Sequence, residues 1–72
     1  MEERNDFREI LRNFLKDNDL TQTKFANMAG IKQSQVSEWL HGKAKPSYDA
    51  LKNLSKTFDV PADFWLGIVD DY

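Results

Sequence analysis

Seventy-two residues, 40% hydrophobic and including five Phe, two Tyr and two Trp, suffice for one small domain with a single core, and leave little room for a deep, water-excluding pocket. Cysteine is absent, which rules out disulfides, thiolate nucleophiles and Cys-ligated zinc. The net charge is −2, so any attraction to a polyanion must come from a local patch rather than from the whole chain.

Gly30, Gly42, Gly67, Pro46 and Pro61 punctuate the sequence into five short blocks. The first is predicted as a helix from Asn5 to Lys16, with Asn5 as its N-cap. Phe7, Ile10, Leu11, Phe14 and Leu15 fall on one face of a 3.6-residue period. Asp17, Asn18 and Asp19 end it. The second runs from Gln22 to Met28, capped by Thr21, with Phe25, Ala26 and Ala29 inward and a left-handed Gly30 at its end. The third runs from Gln33 to Leu40, with Val36, Trp39 and Leu40 on its apolar side and Gly42 closing it after His41. The fourth starts behind Ser47, a good N-cap, with Asp49 favourable in its first turn; Leu51, Leu54 and Phe58 form its stripe. The fifth, from about Ala62 to Gly67, carries Phe64, Trp65 and Leu66. The expectation is an all-α single domain over 1–72, with an ordered core over about 5–67 and an acidic tail over 68–72. No apolar run approaches the ~18 residues of a membrane span. The opening Met1-Glu2-Glu3-Arg4-Asn5-Asp6 is not a secretory signal.

Charge is unevenly distributed. Residues 21–45 sum to +3 through Lys24, Lys32, Lys43 and Lys45 against Glu38, whereas residues 59–72 sum to −4. A basic middle on an acidic body can still meet phosphates, which respond to the local field. Arg4, Arg8, Arg12 and Lys16 recur every four residues; their reading is a solvated face balanced by Glu3 and Glu9, with a basic stripe flanking DNA as the alternative.

The second and third blocks are two short helices separated by Ala29-Gly30-Ile31-Lys32, with the small Ala26 permitting close approach, the pattern a helix-turn-helix needs. Leu20-Thr21-Gln22, Phe25-Ala26, Ala29-Gly30-Ile31, Gln33-Ser34-Gln35-Val36-Ser37, Trp39-Leu40, Gly42-Lys43, Pro46-Ser47, Leu51 and Leu54, continuing to Val60 and Asp63-Phe64-Trp65-Leu66, resemble the Cro/CI (Xre-type) phage repressor family over residues 7–67. That resemblance implies a five-helix, lambda-repressor-like DNA-binding domain and a sequence-specific transcriptional regulator, of repressor or Cro-like type, acting on double-stranded operator DNA in the bacterial cytoplasm or nucleoid. It implies that the helix opening at Gln33 enters the major groove, the docking geometry known for this family. Gln33, Ser34, Ser37 and Glu38 are then the candidate base contacts, Gln33 toward adenine and Glu38 toward a cytosine amino group. Gln22, Lys32, Lys43 and Lys45 are the candidate phosphate contacts, which set register rather than sequence.

The chain departs from the family's pattern at three points. Lys32 stands where Ser or Thr commonly caps the recognition helix, Leu40 where many relatives carry Glu, and the net charge is acidic. A homodimer on two half-sites is expected, through Pro61, Ala62, Trp65, Ile68 and Val69. The competing reading keeps the fold but gives it a protein partner, as in an antitoxin or anti-repressor. Trp39 reads as core, and Trp65 as either core or partner surface. A lone His41 is a helix-terminal residue or a phosphate contact, not a metal site. With no Gly-rich phosphate loop and no metal-ligand spacing, neither an enzyme, a small-molecule substrate nor a cofactor is expected.

Overall fold

The computed structural model describes residues 6–68. Five helices follow in order, α1 Phe7–Asp17, α2 Gln22–Ala29, α3 Gln33–Leu40, α4 Tyr48–Phe58 and α5 Ala62–Trp65. The all-α architecture expected from the periodicity is present. Helix α1 starts later than expected. Asp6, not Asn5, is its N-cap: Asp6 Oδ1 accepts from Arg8 N at 3.2 Å, and Asn5 lies outside the described residues. A carboxylate is favoured there because it meets both an orphan amide and the positive end of the helix dipole. Thr21 and Ser47 cap α2 and α4 as predicted, accepting from Lys24 N at 3.0 Å and Ala50 N at 3.1 Å. Helix α5 ends at Trp65, two residues short of the expected Gly67.

One device ends each of the five helices among the described residues. A left-handed residue, in order Asp19, Gly30, Gly42, Asp59 and Gly67, turns the chain. The next amide then donates back to the carbonyl five residues earlier: Leu20 to Leu15 (2.8 Å), Ile31 to Ala26 (3.0 Å), Lys43 to Glu38 (2.9 Å), Val60 to Ser55 (3.2 Å) and Ile68 to Asp63 (2.9 Å). This is the Schellman arrangement, which satisfies carbonyls that the last turn would otherwise leave open. Gly30 is predicted to be left-handed and Gly42 to close its helix, whereas Gly67 is expected at the end of the fifth helix rather than in the turn beyond it. Asp19 and Asp59 were not legible from sequence: Asp tolerates this conformation better than most L residues, but it is far commoner in other conformations, so its presence alone does not mark the turn.

The core is aromatic. Phe14 of α1 lies 4.9 Å from Trp65, 5.4 Å from Phe58 and 6.2 Å from Phe25, ring centre to ring centre. Phe25 and Phe58 stack at 4.7 Å with planes 9° apart. Phe7 meets Trp39 edge-on at 5.6 Å. Leu11, Ala26, Val36 and Leu54 fill the space between these rings and are essentially fully buried. Both indole N–H groups are buried without a protein acceptor. The tryptophans are therefore held by shape and ring contact, not by hydrogen bonds. Trp39 is in the core as predicted. Trp65, at 1% exposure, is core as well, which corrects its assignment to a dimer surface: no part of its ring is available to a partner.

Candidate nucleic-acid interface

Helices α2 and α3 form a rigid corner. Ala26 of α2 is buried in the close-packed core, where a larger side chain would have to displace its neighbours. Gly30, at φ +71°, makes the turn, and Val36, fully buried, fixes α3 against the core. The tertiary frame adds a support that the local pattern does not show. Asn53 of α4 donates through Nδ2 to Ala29 O at 2.8 Å, satisfying the last carbonyl of α2 from outside the motif.

The leading end of α3 stands clear of the body. Lys32, Gln33, Ser34 and Glu38 are exposed, and Ser37 is half-buried. No acidic side chain occupies the first turn of α3, so the partial positive charge of its unpaired amides is open to an anion. Gln33 and Gln22 are brought together across eleven positions of sequence. Gln33 Nε2 donates to Gln22 Oε1 at 2.7 Å. This bond orients the Gln33 amide and leaves its carbonyl oxygen and second N–H pointing elsewhere, a donor and acceptor pair matched to an adenine edge. It also ties a residue predicted to meet phosphate to one predicted to meet a base.

Lys32 occupies the N-cap position of α3 and makes no side-chain cap bond, as its chemistry requires. At the far end, His41 is the C-cap residue. Its Nδ1 lies 2.8 Å from Ser37 O and 3.4 Å from Ser37 Oγ. The carbonyl can only accept, so Nδ1 carries the proton and donates to it. Lys43 and Lys45 follow, both exposed. Lys45 lines a groove with Asp6 and Arg8. The Asp6 carboxyl is held below its ordinary 3.8, first by the hydrogen bonds from Arg8 and in smaller part by the charges of Arg8 and Lys45. The field of Lys45 is thus partly offset by Asp6. Of the arginines that repeat along α1, Arg8 is paired with Asp6 at 2.8 Å and Arg12 with Glu9 at 3.6 Å; Glu3 and Arg4 lie outside the described residues.

The residues expected at a dimer surface divide. Pro61 and Ala62 are exposed and Ile68 is 68% exposed, while Trp65 is buried and Val69 falls outside the described residues. Leu66, 51% exposed, joins them as an apolar residue the sequence reading left out. Among the described residues no group of His, Asp or Glu is placed to hold a metal ion, and no helix is long and apolar enough to cross a membrane.

Comparison with known proteins adds three findings. The family profile described as Helix-turn-helix matches residues 11–65. The HTH-type transcriptional activator BcrR of Enterococcus faecalis is 33% identical over 58 residues, 81% of this chain and 28% of that protein. The uncharacterized HTH-type transcriptional regulator YobD of Bacillus subtilis (strain 168) is 34% identical over 61 residues, 85% of this chain and 54% of that protein. The chain thus spans from about a quarter to about half the length of these two relatives. No solved structure gives a significant match.

Proposed function

The chain belongs to the helix-turn-helix family of Xre, Cro/CI type, and from that premise we propose that it binds double-stranded DNA sequence-specifically and regulates transcription. The observation that carries this reading is the free leading end of α3, where exposed Gln33 is oriented by its 2.7 Å bond to Gln22. In the proposed complex α3 lies in the major groove with Gln33, Ser34 and Glu38 toward base edges and Ser37 one turn behind. Gln22, Lys32, Lys43 and Lys45 meet the flanking phosphates and contribute affinity rather than sequence preference.

A single module of this size buries limited surface on DNA, so two copies on a near-palindromic site increase both affinity and specificity. Pro61, Ala62, Leu66 and Ile68 supply the surface by which two copies associate, in place of the buried Trp65.

Selection of bound duplexes from a random pool, followed by mobility shifts at several salt concentrations, tests the reading. A recovered consensus and binding that weakens steeply with salt are expected. Gln33→Ala is expected to relax discrimination at one base position by about 1–3 kcal/mol. Uniform weakening across all sequences would assign Gln33 to the backbone instead. No enrichment and no salt-dependent binding would overturn the reading and leave the exposed α3 surface to a protein partner.

A further inference from the structure

Among the described residues, two side chains from outside the helix-turn-helix donate to its backbone. Arg12 of α1 reaches Leu40 O, at the end of α3, over 3.4 Å and from an exposed site. Asn53 of α4 reaches Ala29 O, at the entry to the turn, over 2.8 Å and from a half-buried one. The shorter bond sits at the more sensitive place. After Ala29 the chain passes only Gly30, Ile31 and Lys32 before α3 opens at Gln33, and Gly30 is left-handed.

The Asn53 amide has one orientation open to it. A carbonyl only accepts, so Nδ2 must meet Ala29 O. Oδ1 is then left for Thr57, one turn on along α4, whose Oγ1 donates to it at 3.3 Å. A flipped amide would set oxygen against oxygen at Ala29. Threonine is an indifferent helix former, and here its hydroxyl serves the neighbouring side chain; both residues are half-buried. The amides of the turn do not replace the Asn53 donor. Gly30 N and Ile31 N are committed to Asn27 O and Ala26 O, which leaves Ala29 O to α4.

We propose that Asn53, oriented by Thr57, is a positioning residue for base recognition: its bond to Ala29 O fixes the α2–α3 turn and so the placement of Gln33 and Ser34 against the bases. The proposal rests on the DNA-binding reading and adds to it a determinant of specificity on a helix that supplies none of the proposed contacts. Helix α4 packs on α2, whereas α1 packs on α3. When the brace is lost, α2 shifts against an α3 that α1 still holds, and the short turn beside Gln33 takes up the displacement. Hydrogen bonds to base edges tolerate a misplacement of only about half an ångström. Phosphate contacts through long, flexible lysines follow such a shift. The loss is therefore read in discrimination, not in general affinity for DNA.

Asn53→Ala, Asn53→Asp and Thr57→Val are compared with Thr57→Ser, which keeps the hydroxyl, and with Asn18→Ala. Asn18 Nδ2 donates to Phe14 O at 2.9 Å, so that control loses a bond of the same kind that stays within α1. Thermal melts set a temperature at which every variant is folded; Thr57→Val serves if neither Asn53 variant folds. The readout is the ratio of affinities for a selected duplex and for a random-sequence duplex. It is expected to fall about fivefold in both Asn53 variants, the lower end of what one good base contact contributes, and by less in Thr57→Val. Thr57→Ser and Asn18→Ala are expected to keep the parent ratio, and affinity for the random duplex to change little throughout. An unchanged ratio in the braceless variants, or an equal fall in Asn18→Ala, overturns the proposal while the DNA-binding reading stands. If the parent prefers no duplex, that reading has failed, and the brace is judged by backbone amide shifts of the free protein. Changes at Gln33 and Ser34 in Asn53→Ala that Asn18→Ala lacks retain it as the support of α3, and changes confined to α4 and the end of α2 remove it.

Discussion

Lys32 sets stability against binding, and replacing it with serine separates the two. Its backbone, at φ −81° and ψ 145°, is already that of a working N-cap: Thr21 sits at −83° and 164°, Ser47 at −74° and 171°, and both accept a side-chain bond. A serine hydroxyl at position 32 is therefore delivered to the first amides of α3 without backbone adjustment. A typical cap contributes about 0.5–2 kcal/mol. Here the Gln35 amide already donates to Lys32 O at 3.0 Å, so a new bond partly exchanges for an old one and the gain falls in the lower half, about 0.5–1 kcal/mol. Removing a lysine from the positive end of a helix adds a few tenths of a kcal/mol. Together these come to about 0.7–1.4 kcal/mol; for a domain of this size each kcal/mol moves Tm by roughly 4–8 °C, so Lys32→Ser is expected to melt about 3–11 °C higher by circular dichroism. The same substitution removes one candidate phosphate contact, and the salt slope of DNA binding is expected to fall by about 1. A variant that melts at or below the parent would refute the capping argument. One that melts higher with an unchanged salt slope would remove Lys32 from the backbone contacts.

Three further outcomes follow from contacts already described. Asp6→Ala loses both the cap of α1 and the bond to Arg8, and about 0.5–2 kcal/mol of stability should go with it in chemical denaturation. Because the folded Asp6 carboxyl lies below its unfolded value, its contribution is complete above about pH 4 and is lost as pH falls through the lowered folded pKa; Asp6→Asn, which can still cap, should flatten that acid limb of Tm against pH. Gly30→Ala and Gly42→Ala both force a left-handed alanine, at about 1–2 kcal/mol. A Cβ at Gly30 meets nothing within 4 Å, whereas one at Gly42 falls 2.8 Å from Arg8 Cδ. Gly42→Ala should therefore be the worse of the two, and the excess should disappear in an Arg8→Ala background, as a double-mutant cycle would show. Asn53→Ala removes the donor to Ala29 O and should cost about 1 kcal/mol; hydrogen exchange should show the end of α2 opening more readily than α1.

Short-range chemistry accounts for most of what the amino-acid order reveals by itself. Thr21 and Ser47 cap the helices they precede, Gly30 and Gly42 turn left-handed where the apolar periodicity stops, and Phe25, Ala26, Val36 and Trp39 face inward. Each of these depends on neighbours within about one or two helical turns, so the local pattern carries it. The left-handed Asp19 and Asp59 escaped because a turn, not a residue type, demands that conformation.

Contacts between distant segments were decided by the packing of the five helices. Nothing in the spacing of Trp65 distinguished core from partner surface; its burial follows from Phe14, Phe58 and Phe64 closing around it. The Gln22–Gln33 bond, the Asn53–Ala29 bond and the reach of Arg12 to Leu40 join residues 11, 24 and 28 positions apart. The chain's own periodicities span a few residues and fix which face of each helix is apolar. They do not fix the angle at which two such faces meet, and that angle determines which polar side chains come within hydrogen-bonding distance.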